Sequence, residues 1–142
     1  MAFTDIQEPN AAKQSLYEWL GGAEKGTENI RLLVETFYDI METDPKASGL
    51  LALHPQDLTE TREKLFMFFM GWTGGPQLYI ERYGHPRLRA RHMPFTIGES
   101  ERDQWMYCMI KAMHQCQFEE SLIRHMANQL YGVADFMRNR EG

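Results

Sequence analysis

Histidines are the residues of this chain with the clearest potential for metal or acid–base chemistry, and there are five: His54, His85, His92, His114 and His125. None follows a glutamate at Glu-x-x-His spacing, so the ligand pattern of a di-iron helical bundle is missing. Cys-x-x-Cys and His-Glu-x-x-His patterns are also absent, which excludes the common zinc sites. The chain has no Gly-x-Ser-x-Gly nucleophile motif, and its glycine pairs follow helices rather than strands. These exclusions leave haem, which one imidazole can hold, as the metal cofactor to consider.

His92 has the surroundings that a haem ligand requires. It lies in the segment GHPRLRARHMPFTIG, residues 84–98. A haem site needs a neutral imidazole, an apolar slot and cations for the propionates. Arg91 adjoins the histidine and can bind a propionate through charge-assisted hydrogen bonds. Apolar contact is available from Leu88, Met93, Phe95 and Ile97. From these residues alone a helical core without cofactor remains an alternative, because stripes of aromatic residues and Met are more often plain core.

Helices must position these residues, because apolar side chains recur at helical spacing along the whole chain. A helix is predicted from a cap at Thr27 to the break at Asp44-Pro45. The next runs from the turn at residues 55–57 to Gly74-Gly75, and another begins at Ser100 with Asp103 completing a capping box. The remaining predictions are a short helix closed by Gly21-Gly22, one or two turns within 46–54, an irregular segment at 77–93, and a last helix over about 119–140. No strand is predicted, so the domain is expected to be all-α.

Length and composition limit the classes of protein to which the chain can belong. It has 142 residues, 43% hydrophobic and 25% charged, which is ordinary for one globular domain. The formal net charge is −5 and the one dense basic stretch lies within 87–91, so a nucleic acid is not an expected partner. Cys108 and Cys116 would lie about 12 Å apart on one helix. That distance is too long for a disulfide and favours a reducing, cytoplasmic location. Residues 1–14 lack the pattern of a signal peptide, and no segment predicts a membrane span.

The run from Gly74 to Trp105, GGPQLYIERYGHPRLRARHMPFTIGESERDQW, resembles the signature of the group II truncated haemoglobins. The family pattern is Gly-Gly-Pro, a Tyr, Gly-His-Pro-x-Leu-Arg-x-Arg-His-x-Pro-Phe, and a Trp soon after. Every element of that pattern is present in order, and the resemblance extends from about Leu16 to Phe136. It implies a truncated globin domain over 15–142, with two helices packed over two around haem b and a short N-terminal extension at 1–14.

The resemblance also implies the role of individual residues. His92 would be the proximal iron ligand, with Arg91 and Lys64 as propionate partners. Tyr38 and Trp105 match the distal tyrosine and tryptophan, whose O–H and N–H groups can donate hydrogen bonds to bound dioxygen. The expected haem contacts further include Leu65, Phe68, Trp72, Tyr79, Leu88, Phe95, Ile97 and Met109.

The matching position of His54 is less fixed, and three interpretations stay open for it. The histidine is a third distal donor, a sixth ligand to the iron, or a residue of a surface loop. Tyr38 is an alternative sixth ligand. Thr61 takes the position of the distal histidine of myoglobin-like proteins, and its small size predicts a short access route to the cofactor.

Three functional hypotheses follow from the sequence. The first is a globin that binds dioxygen, and also nitric oxide, carbon monoxide or sulfide, as a monomer or homodimer. The second is a haem redox enzyme that detoxifies nitric oxide, peroxide or reactive nitrogen species with electrons from an external reductase. The third is a helical interaction module without haem. Several distal donors predict slow release of dioxygen, which suits chemistry or sensing better than transport.

Overall fold

The computed structural model describes residues 15–139, and over that range the chain is all-α with no strand. The elements are α1 (Leu16–Trp19), α2 (Gly22–Thr43), a 3₁₀ turn (Pro45–Ala47), α3 (Ser48–Leu51), α4 (Thr59–Trp72), α5 (Leu78–Tyr83), α6 (Leu88–His92), α7 (Glu99–Gln115) and α8 (Glu120–Phe136). The predicted N-terminal extension at 1–14 and the end of the domain at 140–142 lie outside the described residues. No described helix combines the length and the apolar character needed to cross a membrane.

The four long helices form two crossed layers around a single core. Helix α2 packs against α4 and α7, and α7 packs in turn against α8. This arrangement confirms the predicted two-over-two fold. The largest side chains with almost no exposure are Phe37, Phe69, Ile30, Leu33, Met41, Met109, Met113, Met126 and Leu130. Burial of each contributes about 1.5–3 kcal/mol relative to exposure, so the core is the main source of stability. As predicted, Cys108 and Cys116 are free thiols.

Several helix ends differ from the prediction. Helix α2 begins at Gly22 rather than Thr27, because Gly21 takes a φ of 122° that lets α1 pass directly into α2. The predicted cap at Ser100 with Asp103 is wrong by two residues, because the residue that caps α7 is Gly98. Helix α7 begins at Glu99, and the Gly98 N–H donates to the Glu101 carboxylate at 2.8 Å.

Two short helices occupy the segment predicted to be irregular. They are α5 and α6, and they bring the segment around His92 back toward α4. A helix of five or six residues has too few turns to produce a periodic apolar pattern. The last helix, α8, ends at Phe136, earlier than predicted.

Asp44 joins the end of α2 to α7. Its carboxylate accepts hydrogen bonds from the Lys46 N–H at 3.0 Å, from Tyr107 Oη and from Lys111 Nζ at 2.8 Å. The hydrogen bond from Lys111 is the largest cause that holds the pKa of Asp44 far below its usual range, followed by the one from Tyr107. The ionised carboxylate therefore contributes stability above its ordinary pKa near 4, and this contribution is lost as the pH falls toward the folded-state pKa.

Replacement of Asp44 by Asn is expected to lower the free energy of unfolding at pH 7. The difference from the original protein should shrink as the pH falls below about 4, where the unfolded carboxyl is already protonated. Urea unfolding at a series of pH values measures this difference. Glu24→Gln, at an exposed carboxylate with no partner among residues 15–139, is the control. A difference in the free energy of unfolding that does not change with pH would contradict the stabilising role of the ionised Asp44 carboxylate.

Candidate functional site

A cavity of about 520 Å³ lies between α4, α6, α7 and α8. Its volume is in the range of sites that hold cofactors, and most of its walls are apolar. Helices α4 and α5 provide one wall with Leu65, Phe68, Phe69 and Tyr79. Helix α8 provides another with Leu130, Val133, Ala134 and Met137. Polar groups therefore stand out within the lining, and they cluster on two sides.

His92, the last residue of α6, offers one free ring nitrogen to the cavity. Its Nδ1 lies 2.7 Å from the Leu88 carbonyl oxygen. A carbonyl only accepts hydrogen bonds, so Nδ1 must be the donor and Nε2 carries the lone pair. No hydrogen-bond partner for Nε2 occurs among residues 15–139. A second-shell bond from Nδ1 to a backbone carbonyl is the usual arrangement of a histidine that ligates a metal.

His54 has the same local geometry on another side of the cavity. Its Nδ1 donates to the Leu50 carbonyl at 2.9 Å, which again leaves Nε2 with the lone pair. Burial is the main cause that lowers the pKa of His54, and the nearby His92 lowers it further. The neutral ring is therefore an acceptor at Nε2. With Nδ1 bonded to Leu50, the Nε2 of the neutral ring can accept a hydrogen bond but cannot donate one.

Tyr38 and Trp105 supply the unpaired donors of the site. The Tyr38 side chain is 4% exposed, and its hydroxyl has no hydrogen-bond partner in the described part of the chain. Burial raises the pKa of Tyr38 far above its usual value, so the phenol keeps its proton. The Trp105 N–H, which can only donate, likewise has no partner among these residues. Phe37 lies between the two rings, 4.9 Å from Tyr38 and 5.3 Å from Trp105.

A buried hydroxyl without a protein partner is suited to bind a polar ligand. Such a group costs about 1–3 kcal/mol when it stays unsatisfied, and native proteins contain few of them. The Tyr38 ring is 6.0 Å from the His54 ring, so the unpaired donor and the free acceptor are neighbours. The cavity thus combines an apolar slot, a histidine with a free Nε2 and a separate set of polar groups, which fits haem.

Two predicted cations line the same cavity. Lys64 pairs with Glu60 on its own helix at 3.5 Å, an exposed contact that contributes little stability. The Arg91 Nε donates to the Pro86 carbonyl at 2.6 Å, and its guanidinium lies 5.9 Å from the centre of the Tyr79 ring. Neither side chain is held by a strong ion pair, so both can turn toward an anionic group. Arg102 also lines the cavity, but Asp103 and Asp135 already neutralise it.

The structure places most of the predicted site residues in this lining. They are Tyr38, His54, Lys64, Leu65, Phe68, Tyr79, Leu88, Arg91, His92, Phe95, Ile97 and Trp105. Two predicted haem contacts lie elsewhere. Met109 is fully buried in the core, and Trp72 packs on Phe69 with 5.8 Å between ring centres. Met93, which the sequence placed beside the slot, is 51% exposed and is not in the lining.

Sequence reasoning missed one wall of the cavity and part of its entrance. The missed residues are Leu50, Leu53, Pro55, Phe69, Glu101, Arg102, Leu130, Val133, Ala134 and Met137. The apolar stripe of α8 was visible in the sequence, but a stripe that contacts a cofactor has the same spacing as one that contacts protein. Thr61 was noted in the sequence for its small size, and it does line the cavity.

Comparison with known proteins gives a consistent set of relatives. The profile of the bacterial-like globins matches residues 15–139. Among curated proteins, the group 2 truncated hemoglobin YjbI of Bacillus subtilis (strain 168) is 41% identical over 115 residues. The match covers 73% of this chain and 85% of that protein.

Solved structures agree with these sequence matches. A cold-adapted truncated hemoglobin from Pseudoalteromonas haloplanktis TAC125 superposes with a TM-score of 0.83 and 40% identity. The superposition covers 89% of this chain and 99% of the chain of that hemoglobin. The truncated oxygen-avid haemoglobin from Bacillus subtilis superposes with a TM-score of 0.78 and 36% identity, over 89% of this chain and 100% of its own.

Proposed function

The chain belongs to the group II truncated haemoglobins of the bacterial-like globin family, and from this premise we propose that it binds dioxygen and other diatomic ligands at a haem held by His92. The observation that carries the proposal is the pairing within one cavity of a histidine whose Nε2 is free and a buried tyrosine hydroxyl without a partner. The free Nε2 suits a ligand to the haem iron, and the buried hydroxyl suits a hydrogen bond to a polar molecule bound in the cavity.

The cofactor we propose is haem b, which supplies an iron with an open coordination position for dioxygen, nitric oxide, carbon monoxide or sulfide. Neither Cys108 nor Cys116 lines the cavity, so no thiol is placed for a covalent link to the porphyrin. His92 would hold the iron through Nε2, and its Nδ1 bond to the Leu88 carbonyl fixes the plane of the ring. Lys64 and Arg91 are available to bind the propionates by charge-assisted hydrogen bonds.

Tyr38 and Trp105 determine how tightly a diatomic ligand is held. Each offers one donor, and a hydrogen bond to a ligand with partial negative charge is worth about 1.5–3 kcal/mol. Most of the cavity wall is apolar, and a hydrogen bond is stronger in such surroundings than in water. Together they would slow the release of dioxygen by orders of magnitude. One relative is named as oxygen-avid, which accords with this expectation.

A redox enzyme is the second candidate, favoured by the number of polar groups at the site. Two donors and the His54 acceptor line the same cavity, and such groups can stabilise charge that develops during a reaction. The activity would be removal of nitric oxide, peroxide or reactive nitrogen species, with electrons from an external reductase.

For either function, we also propose that the protein is a cytoplasmic monomer or homodimer. It would consist of a globin domain over 15–142 and an extension at 1–14.

Titration of the purified protein with hemin tests haem binding directly. We expect a Soret band that grows to an end point at one hemin per chain, because the cavity lined by His92 has a volume in the range of cofactor sites. Reduction and addition of carbon monoxide should then shift this band. Bovine serum albumin, which binds hemin without this cavity, provides the comparison spectrum. A titration without an end point, or a spectrum of free hemin, would contradict the proposal.

A further inference from the structure

Helix α6, which carries His92, is held by very little packing. None of its residues is buried, and no residue between positions 84 and 96 is buried either. The long helices, in contrast, each bury several large side chains. A segment with few buried apolar contacts opens locally at low free energy. Hydrogen bonds from another part of the chain must therefore contribute much of the free energy that holds this segment in place.

Those hydrogen bonds come from Asn139, which follows the end of α8. Its Nδ2 donates to the His92 carbonyl at 3.2 Å and to the Phe95 carbonyl at 2.8 Å. Its Oδ1 accepts from the Ile97 N–H at 2.9 Å. Its backbone N–H donates to the Ile97 carbonyl at 2.8 Å. One side chain thus binds backbone groups at three positions of the segment that begins with the proposed iron ligand.

The chain around Asn139 is itself anchored to the long helices. Arg138 forms an ion pair with Asp135 of α8 at 2.8 Å and a longer one with Glu99 of α7 at 3.7 Å. The Arg138 carbonyl also accepts a hydrogen bond from Arg89 of α6 at 3.2 Å. The contacts of Asn139 therefore connect the weakly packed segment to the rigid part of the fold.

We infer that Asn139 is a positioning residue that holds the backbone of residues 92–97 and so orients His92 for the haem iron. This inference rests on the proposed function, since it assigns a role relative to the proposed iron ligand. An amide suits the task because it combines two N–H donors with one acceptor, as the two carbonyls and one N–H of the segment require. Asn139 bonds to the backbone carbonyl of His92 rather than to its ring, and it is not itself one of the residues that line the cavity.

The test compares Asn139→Ala, Asn139→Asp and the control Asn128→Ala in the haem-loaded protein. Asn128 is an exposed residue of α8 whose side chain forms no hydrogen bond with residues 15–139. Haem release to excess apomyoglobin should be about tenfold faster in both Asn139 variants, which corresponds to about 1.4 kcal/mol. The Asp variant keeps the shape but cannot donate to the two carbonyls, so it should resemble the Ala variant. The control should release haem at the original rate.

Amide hydrogen exchange separates positioning from general destabilisation. We expect faster exchange in peptides that cover residues 84–98 of both Asn139 variants, with unchanged exchange in α2, α4 and α7. The iron–histidine stretching band of the ferrous protein should broaden in the same variants. Faster exchange throughout the chain would instead show a purely structural role and overturn the inference.

Other outcomes also decide the question. If both Asn139 variants match Asn128→Ala in haem release and in exchange, the inference is wrong while the proposed function stands. If the Asp variant matches the original protein, the donor bonds are not what holds the segment, and the inference is again wrong. If the original protein takes up no haem, the proposed function fails, and exchange at 84–98 still reports whether Asn139 holds the segment.

Discussion

Replacement of Trp105 by Phe should raise the dissociation rate of dioxygen by about ten- to a hundredfold. The substitution removes the indole N–H and keeps an aromatic ring beside Phe37, which lies 5.3 Å from the Trp105 ring. A hydrogen bond to a partly charged ligand is worth about 1.5–3 kcal/mol, and each 1.4 kcal/mol is a factor of ten. Displacement of dioxygen by carbon monoxide in a stopped-flow instrument measures this rate.

Tyr38→Phe should act in the same direction, and the double variant should release dioxygen faster than either single one. Tyr38 is buried and keeps its proton, so the hydroxyl is a permanent donor. Tyr131→Phe is the matched control, because it removes the same group from an exposed tyrosine of α8. If the two single variants and the double variant all released dioxygen at the original rate, the proposed role of the two donors would be wrong.

Replacement of His92 by Ala should lower the affinity for ferric haem by about a thousandfold, or about 4 kcal/mol. The variant loses the axial nitrogen and leaves only apolar contact and the propionate contacts to retain the cofactor. The global fold should persist, because α6 contains no buried residue and contributes little to the core. Hemin titration followed at the Soret band gives the affinity, and circular dichroism checks the helix content.

His114→Ala is the control for this substitution. His114 is exposed in the last turn of α7, outside the cavity lining. Its replacement should leave the hemin titration unchanged. Equal loss of affinity in both variants would show that the effect does not depend on the position of the imidazole, and it would contradict the assignment of His92.

The sequence predicted the architecture because the core uses regular helical spacing. Ile30, Leu33, Val34, Phe37 and Met41 recur on one face of α2, and all are buried as that spacing requires. The start of α2 was misplaced since a glycine pair that ends one helix also permits the next to begin at once. Helices α5 and α6 were missed because one or two turns leave no periodic signal.

Residues of the candidate site could be predicted from the sequence where they belong to a specific motif, and less well where they do not. The segment around His92 is a long, specific pattern, and the structure places its Leu88, Arg91, Phe95 and Ile97 in the cavity lining. Met109 was misassigned because helical spacing does not distinguish a face toward a cofactor from one toward the core.

Two features of the site depend on the folded structure and are not marked by a sequence motif. The acceptor state of His54 follows from its bond to the Leu50 carbonyl and from its burial. Asn139 is separated from the Phe95 carbonyl by 44 positions in the chain, so only the folded structure brings them together.

The measurement that tests the central claim most directly is imidazole rescue of His92→Gly. The glycine variant opens a space where the proposed ligand stood, and free imidazole can supply the missing nitrogen. We predict weak hemin binding without imidazole, and a saturable return of the Soret band and of the original affinity when imidazole is added. A variant that binds hemin with the original affinity and spectrum in the absence of imidazole would show that another residue holds the iron.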